Sequence, residues 1–262
     1  MRVLVLIFTN LLLCGFVSAE MRMWTDADGN RFAGEFSKIL LGRILIKDQN
    51  GRTRSVPIHS LSKAEQDYLS AHVPPELEIT VRKVSRKLPK YAWSSPDYHT
   101  ALYTFSITLE KTGKLDYKGE LSVELFVIGH DLACESNDSF VLMHHSSSAC
   151  RLPPSRKSIC EILVEDVRFE NFYSSVSRAA SKRGKEYVGY IAAVFDSQGR
   201  MIACEENGTG TDWIEKDLSR ATEKLRSLYE EGYGSPDSCH FKESFKKISP
   251  PRPAWFCRTE QY

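Results

Sequence analysis

The chain has 262 residues, 42% of them hydrophobic and 26% charged, with 35 Lys and Arg against 34 Asp and Glu. That length and apolar fraction support one large or two ordinary domains with buried cores, which excludes wholesale disorder and collagen-like repeats. A net charge of +1 excludes a dedicated nucleic-acid binder, whose domain would be strongly basic.

The first segment reads as a secretory signal peptide. Met1-Arg2 is a minimal positive start, Val3 to Leu13 is apolar apart from Thr9 and Asn10, and Val17-Ser18-Ala19 offers small residues for cleavage after Ala19. The stretch is too short and wrongly flanked for a membrane span. Leu12-Leu13-Cys14-Gly15 offers a lipoprotein alternative, weakened because the residue before such a cysteine is normally small and here is Leu13. Removal of residues 1–19 leaves 243 residues with equal numbers of basic and acidic groups, bound for the periplasm or the exterior, with no transmembrane segment.

Residues 20–72 read as a compact β unit. Strands are predicted from Arg22 to Asp26, Arg31 to Leu40, Arg43 to Asp48 and Arg52 to Ile58, with turns at Asp28-Gly29-Asn30 and Asn50-Gly51. Ser62-Lys63-Ala64-Glu65 is a capping box that opens a helix of one or two turns through Tyr68 and Leu69. Short strands with tight turns suggest a small barrel. His72-Val73-Pro74-Pro75 stops the helix, and residues 73–76 form a linker.

Within 22–71 the pattern Trp24-Thr25-Asp26, Gly29, Phe32, Gly34-Glu35-Phe36, Gly42, Asn50-Gly51, Val56-Pro57, Leu61-Ser62 and Gln66-Asp67-Tyr68-Leu69 resembles the Sla homology domain one family, in its secreted, planctomycete-like bacterial form. Leu41 departs from that pattern, since a polar turn residue is usual before Gly42. The resemblance covers about a fifth of the chain. It implies an SH3-like barrel that binds proteins. In its eukaryotic setting the family is associated with sorting-peptide, cytoskeletal, adaptor and ubiquitin-binding roles, of which only binding of an unidentified protein or peptide carries over to a bacterial envelope. It implies motif residues Trp24, Asp26, Gly29, Phe32, Gly51, Pro57, Leu61 and Tyr68, and no cofactor.

Residues 77–229 carry seven period-two segments, near 77–84, 101–110, 119–129, 139–144, 159–169, 186–196 and 200–206. Seven strands suggest an immunoglobulin-like sandwich. Ile214, Leu218, Ala221, Leu225 and Leu228 then form one apolar stripe of a helix capped by Asp212 with Glu215 and stopped by Gly232, Gly234 and Pro236. Such a helix buries its stripe on a sandwich face or edge. Residues 230–262 form a Pro-rich tail ending near Trp255-Phe256.

Six cysteines remain after the leader: Cys134, Cys150, Cys160, Cys204, Cys239 and Cys257. In an oxidising compartment they predict disulfides, with 15 possible pairings. Cys239 with Cys257 would staple the tail, worth about 3 kcal/mol in the chain-entropy model. Cys134 with Cys150 and Cys160 with Cys204 follow by elimination.

Sharper chemical readings are weaker. Asp26-Ala27-Asp28-Gly29-Asn30 starts like a calcium loop but has Arg31 and Ser37 where glycine and glutamate are needed. His130, Cys134, His144, His145 and Cys150 could ligate zinc, yet no Cys-x-x-Cys pair anchors them and no metal is predicted; the histidines read as loop residues. Ser146-Ser147-Ser148 lacks a nucleophile elbow and reads as a polar loop, and adjacent Glu205-Glu206 would face opposite ways on a strand. Arg82, Lys83, Arg86, Lys87 and Lys90, and again Arg178, Lys182, Arg183 and Lys185, form basic runs that suit solvated strand ends or a polyanionic envelope surface. The sequence thus predicts a mainly β, non-catalytic binding protein. A structural or polyanion-binding envelope protein is the alternative, and an uncharacterised hydrolase the third reading.

Overall fold

The structure, a computed structural model, describes residues 21–89, 98–132, 139–155, 158–174, 181–208, 217–232 and 239–250. The expected leader, Lys90, Cys134, Arg178, Asp212, Ile214, Glu215, Trp255, Phe256 and Cys257 lie outside the described residues. The described chain is mainly β, with two sheets and two α-helices.

Strands β1 (Met21–Thr25), β2 (Arg31–Leu40), β3 (Arg43–Lys47) and β4 (Thr53–Pro57) form an antiparallel meander. Alternation turns Ile44 and Ile46 inward, where they meet Trp24, Val56, Leu61 and Leu69. The Trp24 indole N–H donates to the Gly34 carbonyl at 3.0 Å, so this wholly buried ring leaves no polar atom unsatisfied. Gly34 itself admits no side chain, because a Cβ there would lie 2.2 Å from Ile46 Cγ2. Helix α1 (Lys63–His72) is capped by Ser62, whose side chain accepts the Glu65 N–H. The reciprocal half of the capping box is replaced: the Glu65 carboxylate takes the Arg22 guanidinium at 2.8 Å. An isolated bridge between Asp26 and Leu61 closes the unit. The Ala27 N–H donates to Ser60 O and the Ser62 N–H to Thr25 O, so the end of β1 is held on both sides.

The larger region contains β5 (Leu77–Lys87), β6 (His99–Lys111), β7 (Leu121–Asp131), β8 (Phe140–Cys150), β9 (Ile159–Ser174), β10 (Ser181–Phe195) and β11 (Met201–Gly208), then α2 (Leu218–Glu231) and the two-residue β12 (His240–Phe241). The order is β12-β8-β7-β10-β9-β6-β5, with β11 on β10. All seven expected strands are present, several of them longer than the sequence pattern suggested. His144, His145 and Ser146-Ser147-Ser148 belong to β8 rather than to a loop, because the β7–β8 ladder runs on to the Leu121–Cys150 pair.

The sandwich is joined through one strand. Residues 181–184 of β10 pair with β9, and from Lys185 onward it pairs with β7, so β10 crosses from one layer to the other. The crossing falls at Gly184, whose φ of +97° and whose missing Cβ, 2.2 Å from the Glu170 carbonyl, both require glycine. Phe105, Ile107 and Leu109 of one layer face Leu121, Val123, Leu125 and Val127 of the other. The opposite face of β7 and β10, with Phe126, Ile128 and Ile191, is covered by Ala221, Leu225 and Leu228 of α2 and by Phe241. That is the stripe read from sequence, but the helix begins later than expected: Asp217 is the N-cap, its side chain accepting the Arg220 N–H at 3.0 Å.

The disulfide expectations are corrected. Cys150 and Cys160 bond to each other, because the end of β8 and the start of β9 are neighbours across a short connection. This removes the Cys134–Cys150 and Cys160–Cys204 pairs. Cys204 and Cys239 are free thiols among the described residues, and Cys239 donates to the Leu228 carbonyl at 3.4 Å; Cys257, the other half of the expected staple, lies outside the described residues. Burial pushes the Cys204 thiol up to about 12, which keeps it protonated and unreactive at neutral pH.

The two regions touch through the β6–β7 connection. Leu115 packs against the small core, the Lys118 N–H donates to Ser70 O at 2.8 Å, and Lys118 Nζ meets Asp67 at 2.6 Å.

Candidate functional site

The β1–β2 turn and strand β4 flank a concavity of about 200 Å³ on the small unit, lined by Asp26, Ala27, Asp28, Phe32, Arg54, Ser55, Val56, Pro57 and Ser60. Each wall has a local cause. Asp26 accepts the backbone N–H of Asp28 at 3.0 Å and of Asn30 at 2.8 Å, and its other oxygen takes the Asn30 side-chain amide at 3.0 Å. These bonds form an Asx turn and, led by the Asn30 side chain, hold the exposed carboxyl below its usual value. The calcium-like run is therefore a turn whose first carboxylate is occupied by its own backbone. Phe32 follows on β2, opposite Trp24, and the Arg54 guanidinium lies over its ring at 4.2 Å. Pro57 and Val56 complete an apolar floor, with the Ser55 and Ser60 hydroxyls and three charges at the rim.

Three of the motif residues, Asp26, Phe32 and Pro57, thus converge on one hollow. The other five serve the scaffold. Trp24 and Leu61 are core, Gly29 and Gly51 hold left-handed turns, and Tyr68 stacks its ring on His72 while Arg22 lies 3.3 Å from its centroid. Arg54 was not singled out from sequence, although a signal was present. It lies two residues before buried Val56 on a five-residue strand and so shares the core-facing side, where a charge is unusual.

Other chemistry-bearing groups do not assemble there. His144 and His145 point to opposite faces of β8. Burial and the neighbouring His145 lower the His144 pKa, and its Nε2 has no partner among the described residues. His145 lies on the α2 side, stacked on Phe126 and hydrogen-bonded to Glu124 at 3.1 Å, and Arg226 of α2 binds the same carboxylate at 2.9 Å. Burial alone would raise the Glu124 carboxyl, but these two partners outweigh it and the net shift is downward. Cys150 is taken by its disulfide, and the β7–β8 register sets His130 and His144 on opposite faces, while Cys134 of the zinc-like group lies outside the described residues. Glu205 faces the sandwich interior, where burial raises its pKa; it accepts the Tyr190 hydroxyl at 3.0 Å and the Val81 N–H of β5. Glu206 alternates to the other side of β11, so the two carboxylates do not face each other.

No family model and no curated protein matches the chain. Among solved structures, one from Akkermansia muciniphila is 12% identical and aligns over 57% of this chain and 78% of its own, with a TM-score of 0.29. The structural-genomics target SoR45 is 13% identical over 50% of this chain and 87% of its own, with a TM-score of 0.21. Likeness at that level carries no functional argument.

Proposed function

We propose that the protein binds an extended protein or peptide segment, without catalysis, through the hollow on the small unit, and that this unit is an SH3-like barrel of the Sla homology type. The observation that supports this reading is the convergence of Asp26, Phe32 and Pro57 with Arg54 around one concavity. Its size favours the reading too. At about 200 Å³ it falls below the several hundred Å³ that small-molecule and cofactor sites occupy, and suits one or two side chains of a peptide. An apolar floor with a cation over an aromatic ring rewards an apolar side chain beside a polar or negative one. The adaptor-like role belongs to a secreted or periplasmic setting, for which the Cys150–Cys160 disulfide is the structural support and the Val17-Ser18-Ala19 processing site the sequence support.

Selection of a displayed peptide library on the full mature chain tests the proposal. Enriched peptides should bind the native protein and lose at least about tenfold in affinity to Arg54→Glu, a change at an exposed residue. Failure to enrich any sequence, or equal binding by the variant, overturns it.

A further inference from the structure

The free edge of β5 changes character after Val81. The Val81 N–H donates to the Glu205 carboxylate of β11, so this residue turns its backbone polar groups away from β6 and finds a partner there. Backbone direction alternates along a strand, which places the N–H and C=O of Lys83, Ser85 and Lys87 on the same outward side. The intervening Arg82, Val84 and Arg86 turn theirs toward β6, opposite Ser106, Thr104 and Leu102, a series that the Leu88 N–H continues by donating to Thr100 O. Among the described residues nothing pairs with the three outward backbone groups.

The side chains on this stretch call for an opposite charge. Every residue from Arg82 to Lys87 is exposed. Ile79 and Val81 pack against the core, so Arg82, Val84 and Arg86 share the outer face, with Val84, 52% exposed, between the two arginines. Arg82, Arg86 and Lys87 have no ion-pair or hydrogen-bonding side-chain partner among the described residues. Lys83 is engaged instead, its ammonium 3.8 Å from the Tyr187 ring.

We propose that the β5 edge from Lys83 to Lys87 accepts an extended acidic protein segment as an added strand, with acidic, apolar and acidic side chains at alternate positions. The outward backbone groups provide main-chain hydrogen bonds, and Arg82, Val84 and Arg86 set the order of the side chains beside them. Charge on an edge strand ordinarily keeps other edges away, and here it keeps away a second copy of β5. The same cations select a strand of opposite sign. An acidic polysaccharide would use the cations but neither the backbone groups nor Val84. The edge shares no residue with the hollow on the small unit and does not depend on it.

Titration of the full chain with the end-blocked peptide Thr-Glu-Thr-Val-Thr-Glu-Thr is the test, read by calorimetry and by amide hydrogen exchange. Saturable binding that weakens with salt is expected, with new protection at the N–H groups of Lys83, Ser85 and Lys87. Arg82→Glu with Arg86→Glu should weaken it at least about tenfold, and both positions are exposed, so the fold is not at stake. Ser85→Pro removes one outward N–H, keeps every charge and spares the β6 ladder, as proline does on an edge; it should weaken binding at least about fivefold. The peptide N-methylated at its threonines, equal in charge, tests the same bonds from the other side without altering the protein, and should not bind. Arg54→Glu should leave binding unchanged. No saturable binding at low salt, equal binding by the methylated peptide or by Ser85→Pro, indifference to the charge reversals, or loss through Arg54→Glu overturns the proposal. So does capture of polygalacturonate that is tighter than that of the peptide and equal in Ser85→Pro.

Discussion

Strands β7 and β5 have the same length and opposite fates. β7 is covered on one side by the other layer of the sandwich and on the other by α2, so its residues are buried almost throughout. β5 is covered on one side as far as Val81 and on neither beyond it. The apolar run Leu125-Phe126-Val127-Ile128 and the basic run from Arg82 are the sequence images of those environments. Stability is concentrated where two faces are covered. The strands that run past the core are free to carry charge and aromatic surface.

Substitutions can break or sharpen that contrast. Phe126→Ala, at a wholly buried ring between α2 and the sheet, should cost about 3–5 kcal/mol in urea denaturation, whereas Val84→Ala on β5, half-exposed, should stay within about 0.5 kcal/mol. Similar values for the two would mean that α2 does not cover β7 in solution. Opening the disulfide with Cys150→Ser and Cys160→Ser, ten residues apart, should cost about 3 kcal/mol by loop-closure entropy, seen as a lowered Tm relative to the oxidised protein.

Next in size is Glu124→Gln, which removes the anion shared by His145 and Arg226 and should cost about 2 kcal/mol at neutral pH. The Glu124 carboxyl is depressed in the folded protein, so its contribution is complete above about pH 5 and is lost as pH falls through the folded value. Urea midpoints for wild type and Glu124→Gln should therefore converge in acid. A gap that stays constant would remove the ionised carboxylate from the account. The smallest effect has the opposite sign. Leu41 occupies the β2–β3 turn at φ +52°, a conformation that suits asparagine better, and Leu41→Asn should raise stability by up to about 1 kcal/mol in thermal melts.

The elements were legible because their causes are local. Period-two alternation located all seven strands of the sandwich, and the stripe from Leu218 to Leu228 located α2. The true N-cap was missed because Asp212 and Asp217 both precede apolar residues, and only packing decides between them. The disulfide was misjudged for a related reason. Pairing Cys239 with the tail assumed that a Pro-rich end needs a staple, whereas Cys239 is already fixed in the apolar layer under α2. Cys150 and Cys160 bracket the turn between two consecutive strands, a proximity that appears only once both strand ends are known. The hollow was half legible. Its motif residues stood out as a pattern, but Arg54 acquires its place only when β4 is folded beside the β1–β2 turn.

The placement of β10 also sets the order in which the chain can assemble. A chain emerging from its N-terminus has every strand of the small unit by Pro57 and its helix by His72. The hairpins β5–β6 and β7–β8 can each close locally, yet β6 and β7 never pair with one another; the β9–β10 hairpin must be inserted between them. Until it arrives, two long strands present unpaired edges, the state most open to association with other chains. Insertion joins both hairpins in a single late event, so the larger region is predicted to fold slowly and all at once, and the small unit early.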